Sequence, residues 1–213
     1  MKRKILILLL GIILTLSISV AAEENYNFRK TKWGMERKEV KQKVDEDIYN
    51  ENEKFVMYET TVANLESIML FQFAQDKLVS AGYYFNESHS NSNLYIKEYK
   101  EIKEILTKKY GEPTRGGKYW LDELYKGEEE YYGTALSLGH LVFEFDWETK
   151  DTLIRLKLSG DNYEIDHVLL YEGKKLKNLK EKEEKEENQN NFWYWKYMYG
   201  TLMAQFLLIY NSV

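Results

Sequence analysis

The sequence predicts an α+β domain in which an antiparallel sheet carries helices packed on one face, in the order α–βββ–α–β–(α)–βββ. Three patterns support it. Apolar residues recur at helical spacing in two segments, alternate with polar ones in the segments between, and Gly- or Asp-containing turns separate the alternating runs. The strand triplets at either end give the order two similar halves.

The chain opens with what an exported protein needs. Lys2, Arg3 and Lys4 supply a positive end, Ile5 to Ile18 an uncharged apolar run, and Val20-Ala21-Ala22 small residues before the acidic Glu23-Glu24. Residues 1–22 therefore read as a signal peptide cleaved near Ala22, which places the protein outside the cytoplasm. The apolar run falls short of the ~20 residues of a spanning helix, which sets a membrane anchor behind cleavage. With no cysteine, the chain has no residue for lipidation, disulfides or thiolate chemistry.

Residues 24–172 read as a single domain. Its first helix follows Trp33-Gly34-Met35, where Val40, Val44 and Ile48 make one stripe. Strands come next at Lys54 to Thr61, Ser67 to Phe73 and Leu78 to Phe85, with Ala74-Gln75-Asp76-Lys77 as a turn. Tyr95, Tyr99, Ile102 and Leu106, with Ile105 and Tyr110 beside them, mark the second helix. Ser92 or Asn93 caps its start, and Gly111 and Pro113 end it. A strand from Lys118 to Tyr125 and a short helix near Tyr131 to Leu138 follow.

The closing strands permit a register argument. Leu141, Phe143, Phe145 and Trp147 alternate with Val142, Glu144, Asp146 and Glu148, and Ile154, Leu156 and Leu158 on the next strand alternate with Arg155 and Lys157. A turn at Thr149-Lys150 sets Phe145 opposite Ile154, Phe143 opposite Leu156 and Glu144 against Arg155. Gly160-Asp161-Asn162 then turns the chain into a last strand, Glu164 to Tyr171.

Residues 173–191 are rich in Lys, Glu and Asn, as expected of a solvated helix extension or a flexible linker. Residues 192–213 turn apolar and aromatic. Trp193, Trp195, Tyr197 and Tyr199 resemble the aromatic belt found where lipid meets water, and Phe206 and Leu207 belong to the apolar run behind it. These six are the candidate membrane or partner contacts. Association with a membrane surface or partner is the first reading, ahead of spanning or docking on the domain.

Cleavage of the signal removes three basic residues and takes the net charge from −5 to −8. No basic stripe remains to neutralise phosphates, so nucleic acid is not an expected partner. His89, His140 and His167 lack metal-ligand spacing, and no cofactor motif is present. Glu144, Asp146 and Glu148 share a strand face, where Arg155 and Lys157 make a salt ladder the better account than an acid/base pair. Trp33, Trp120, Trp147 and 18 tyrosines serve a core first, with Tyr also favoured at interfaces.

Phe28 to Val40, reading Phe-Arg-Lys-Thr-Lys-Trp-Gly-Met-Glu-Arg-Lys-Glu-Val, resembles the opening of small exported bacterial proteins with the β-lactamase-inhibitor-protein-like fold, to which the SmpA/OmlA family is related. Tyr110-Gly111-Glu112-Pro113 resembles the Gly-x-Pro after a helix in that group. Glu36 departs from the helix-capping Ser or Thr of the family, and the lipid-bearing cysteine is absent. The resemblance implies a compact exported module that binds another envelope protein without catalysis. A small hydrolase acting on cell-envelope polymer is the alternative.

Overall fold

The computed structural model describes residues 26–187, and their side chains as far as 182. The signal segment 1–22 and the six candidate contacts in 192–213 lie outside the described residues. Eight antiparallel strands form one sheet: β1 (Ile48–Glu51), β2 (Phe55–Val62), β3 (Leu65–Ala74), β4 (Lys77–Phe85), β5 (Arg115–Trp120), β6 (Leu141–Glu148), β7 (Thr152–Asp161) and β8 (Glu164–Gly173). Their order across the sheet is β1-β2-β3-β4-β8-β7-β6-β5. Two consecutive four-stranded meanders thus meet through their last strands, β4 against β8, leaving β1 and β5 as the open edges.

Three hairpins close on pairs of non-glycine residues with positive φ: Ala63-Asn64, Gln75-Asp76 and Asn162-Tyr163. Positive φ at both central residues is the backbone of a two-residue turn whose twist matches the strands it joins.

Alternation gives the sheet an inner and an outer face. The inner face carries Val56 and Tyr58, Met69 and Phe71, Ala81 and Tyr83, Leu169 and Tyr171, Ile154 and Leu156, and Phe143 and Trp147, all buried. Helix α1 (Arg37–Lys43), helix α2 (Asn93–Tyr110) and helix α3 (Tyr132–Ser137) supply Val40, Ile96, Tyr99, Ile102, Leu106, Ala135 and Leu136 to the same core. The Tyr99 ring meets Phe143 at 5.5 Å, and its hydroxyl donates to Leu156 O at 3.1 Å. Gly111 ends α2 with φ 85°, its N–H bonded to Thr107 O, and its own carbonyl accepts Trp147 Nε1–H at 2.9 Å.

The Trp33-Gly34-Met35 segment joins the two halves. Gly34 N–H donates to Leu78 O and Leu78 N–H to Met35 O, while Trp33 Nε1–H reaches Thr152 Oγ1 at 2.9 Å. A Cβ on Gly173 would sit 2.9 Å from the Trp33 ring, so the indole lies flush on that backbone. Without a hydroxyl cap at Glu36, α1 uses Glu39, whose carboxylate accepts the Glu36 N–H at 2.9 Å.

Several sequence expectations need correction. Helix α1 stops at Lys43 because Val44 is extended (φ −102°, ψ 123°); Ile48 opens β1 and is exposed, so it does not continue the Val40 stripe. Strand β5 starts and ends earlier than 118–125, and Leu121 onward is loop. The β6–β7 register is shifted by two. Phe145 faces Leu156, Phe143 faces Leu158, Glu144 faces Lys157, and Asp146 is the residue opposite Arg155. The turn is centred one residue later than expected: Thr149 N–H donates to Thr152 O, and Thr152 N–H to the Thr149 hydroxyl.

The helices do not all lie on one face, and the start of the charged segment 173–191 is structured. After a 3₁₀ turn at Lys174–Leu176, helix α4 (Lys177–Glu187) lies over the outer face. There Lys180 pairs with Glu172, and Leu176 closes a cavity of about 250 Å³ with Val79 and Leu153. Among the described residues no helix is long and apolar enough to cross a membrane.

Candidate interaction surface

The connection from β5 to α3 projects from one edge of the sheet. Leu121 N–H donates to His140 O at 2.8 Å, and the Asp122 carboxylate accepts the Leu124 N–H at 2.8 Å. Lys126 N–H bonds Glu123 O, and Tyr131 N–H bonds Glu128 O. The Tyr125 ring lies 5.8 Å from Tyr131 and stacks 6.1 Å from His140. The loop is thus braced from within, and its bracing turns Leu121 (72% exposed) and Leu124 (66%) outward. Tyr119 and Tyr131 flank them, each more than two-fifths exposed. Single exposed apolar residues are ordinary, whereas a contiguous group held in fixed geometry marks a contact site.

Its surroundings are acidic. Asp122, Glu123, Glu128, Glu129 and Glu130 accompany one basic residue, Lys126, which pairs with Glu123. Glu128, Glu129 and Glu130 have no ion pair among the described residues. The opposite edge is more balanced: β1 exposes Ile48 and Tyr49, and three of the acids around it are answered by Lys30–Asp45, Arg29–Glu46 and Lys41–Glu51 pairs, with Asp47 and Glu53 outside them. At the β5 end, Leu121 and Leu124, the most exposed leucines among the described residues, share one loop with three acids that have no ion pair.

The remaining candidates are internally satisfied or isolated. Asp146, on the outer face, is 1% exposed and accepts from Arg155 at 2.9 and 3.1 Å and from Arg115. Burial opposes its charge, yet those guanidinium bonds hold it below the ordinary carboxylate range. Glu148 pairs with Lys174, and Glu144 lies 3.5 Å from Arg155. Burial raises Glu98, against the pull of His89, whose Nε2 lies 2.6 Å away; Glu98 is on α2, which packs over the inner face, and His89 lies in the connection before it. Burial also pushes Asp166 up to about 6, with Lys157 opposing and Glu164 adding to the rise.

A pair of carboxyls that hydrolyses a glycosidic polymer sits about 5–9.5 Å apart. Asp146 and Glu98 lie on opposite sides of the sheet. Asp166 sits opposite Ser159, four positions along β7 from Arg155, or roughly 13 Å at the rise of a strand. Neither combination converges.

His167 is 1% exposed with both ring nitrogens unpartnered, packed 4.4 Å from Phe85, and burial pushes it down to about 3. His140 backs the loop and His89 pairs with Glu98, so the three histidines are dispersed. Trp147 is core, Trp33 joins the halves, and Trp120 lies edge-on to Tyr132 at 5.2 Å. Sequence reading missed Leu121 and Leu124 because it placed them in a strand. The acidic run beside them was visible, but its lack of partners depends on the fold.

No protein-family model matches the chain, and neither a curated protein nor a solved structure does.

Proposed function

We propose that this chain is an exported, non-enzymatic interaction module of the cell envelope or cell surface, and that it meets a partner protein through the Tyr119–Tyr131 region. The observation that carries this reading is the braced loop holding Leu121 and Leu124 in solvent. Burying one such leucine contributes about 1.5–3 kcal/mol, so their outward placement gives an association something to gain. Export rests on the tripartite signal at residues 1–22, and the likeness of Phe28 to Val40 to exported binding modules agrees with it.

The experiment is fractionation of producing cells followed by crosslinking and affinity capture of the signal-processed chain. The reading expects a mature protein outside the cytoplasm and a crosslinked partner that is lost in Leu121→Asp/Leu124→Asp. An intact Met1 on a cytosolic protein refutes it, as does a capture profile unchanged by that variant.

A further inference from the structure

We infer that the open edge of β5 accepts an extended, cationic segment of the partner as a ninth strand; this deepens the interaction reading above and rests on it.

The backbone is set for such pairing. β5 is the end strand of the sheet, and Leu121 N–H bonds inward to His140 O in register with the β5–β6 ladder. Antiparallel strands direct their polar groups alternately to either side. With Leu121 facing β6, the N–H and C=O groups of Lys118 and Trp120 point away from it, toward the open side. Edge strands left this way are templates for another chain, and strand addition is a recurrent mode of peptide capture.

The side chains specify what arrives. Tyr119 and Leu121 share the outer face and stay exposed, so an added strand with apolar residues at alternate positions would cover them. Basic groups on β5 do not repel a cationic strand strongly, since both are engaged: Arg115 with Asp146, and Lys118 over the Tyr132 ring at 4.3 Å. Beyond the strand end lie Glu128, Glu129 and Glu130 without ion pairs among the described residues, at the place where Lys or Arg of the incoming segment would be drawn. An acidic strand would meet like charge there, which gives the edge a sign preference.

The test titrates the full signal-processed chain with an eight-residue peptide alternating Lys and Val, and with its Glu/Val counterpart. Binding is read by anisotropy and amide shifts. The Lys/Val peptide should bind, perturb the Lys118 and Trp120 amides and those of 121–131, and weaken with salt, while the Glu/Val peptide binds at least tenfold less tightly. Glu128→Lys/Glu129→Lys/Glu130→Lys, which alters only exposed side chains, should cost at least tenfold in affinity for the Lys/Val peptide. Lys118→Pro, which removes one outward N–H, should weaken it further with the ladder to β6 retained. Equal binding of both peptides, indifference to charge reversal, shifts confined to β1 or α4, or dimerisation through β5 in place of peptide binding each overturns the proposal. Those results leave the interaction module standing, whereas a cytosolic, unprocessed chain removes it whatever the peptides do.

Discussion

Arg155 grips Asp146 with two hydrogen bonds, Nε–H to Oδ1 at 2.9 Å and Nη2–H to Oδ2 at 3.1 Å, across neighbouring strands β7 and β6. Arg115 on β5 completes the row, so one carboxylate fastens three strands on the outer face. Asp146→Asn removes the counter-charge that two guanidinium groups share, leaving Arg155 only its longer contact to Glu144, and should destabilise the fold by about 3 kcal/mol in urea unfolding. Glu144→Gln should cost less than about 1 kcal/mol, since Glu144 is a secondary contact 3.5 Å away. Were Glu144 the true cross-strand partner of Arg155, the two costs would be reversed.

That contrast shows how much of the register was legible. Moving the hairpin turn by one residue moves the pairing by two, and two is the side-chain period of a strand. Every apolar residue of β6 and β7 keeps its face under either pairing, and acid still meets base, so alternation alone accepts both. What selects one is the Thr149 hydroxyl bond to Thr152 N–H, with Lys174 bonded to Asp151 O and Glu148 from a strand end more than twenty residues on. The second helix was legible because its stripe and its Gly111 stop agree. The first was overextended because Ile48 fits a four-residue spacing that the extended Val44 breaks. The β5 edge was hardest to read, because exposure of Leu121 depends on where β5 ends.

His167 gives the fold a pH dependence of known sign. Its pKa is near 3 in the fold and about 6.5 when unfolded, so the unfolded chain takes up the proton first. Stability from this group is full above pH 6.5 and declines as pH falls toward 3, by up to about 1.4 kcal/mol per pH unit. His167→Leu should flatten that part of a stability–pH curve and, by removing two unpartnered buried nitrogens, leave the protein at least as stable at pH 7. Chemical denaturation at half-unit intervals from pH 3.5 to 7 measures both effects.

Asp166 acts in the opposite direction. Its pKa is near 6 in the fold against an ordinary value of 3.8, so the fold holds the proton longer. That contribution is present below pH 3.8 and lost as pH rises through 6. Asp166→Asn should therefore stabilise at pH 7.5 by about 2 kcal/mol, with the gain vanishing below pH 4. A melting temperature that falls at pH 7.5 would show that the carboxylate is favourably held.

Tyr163 sits at φ 68° in the β7–β8 turn and is 72% exposed, so its side chain contributes strain with little burial in return. Tyr163→Gly, giving Asn-Gly at a turn that needs positive φ twice, should raise stability by roughly 0.5–1 kcal/mol. The unfolding midpoint should rise with the m-value unchanged; a fall would mean that the ring carries packing.

The most direct test of the interaction account is site-specific photocrosslinking in producing cells, with the probe at Leu124 and, as control, at Tyr49 on the other sheet edge. Both positions are exposed, but Leu124 shares its loop with the unpaired Glu128, Glu129 and Glu130, whereas Asp45, Glu46 and Glu51 around Tyr49 are ion-paired. The account predicts a discrete protein adduct from Leu124, on the signal-processed form, and none from Tyr49. An adduct from Tyr49 alone, or crosslinking from neither position, would contradict it.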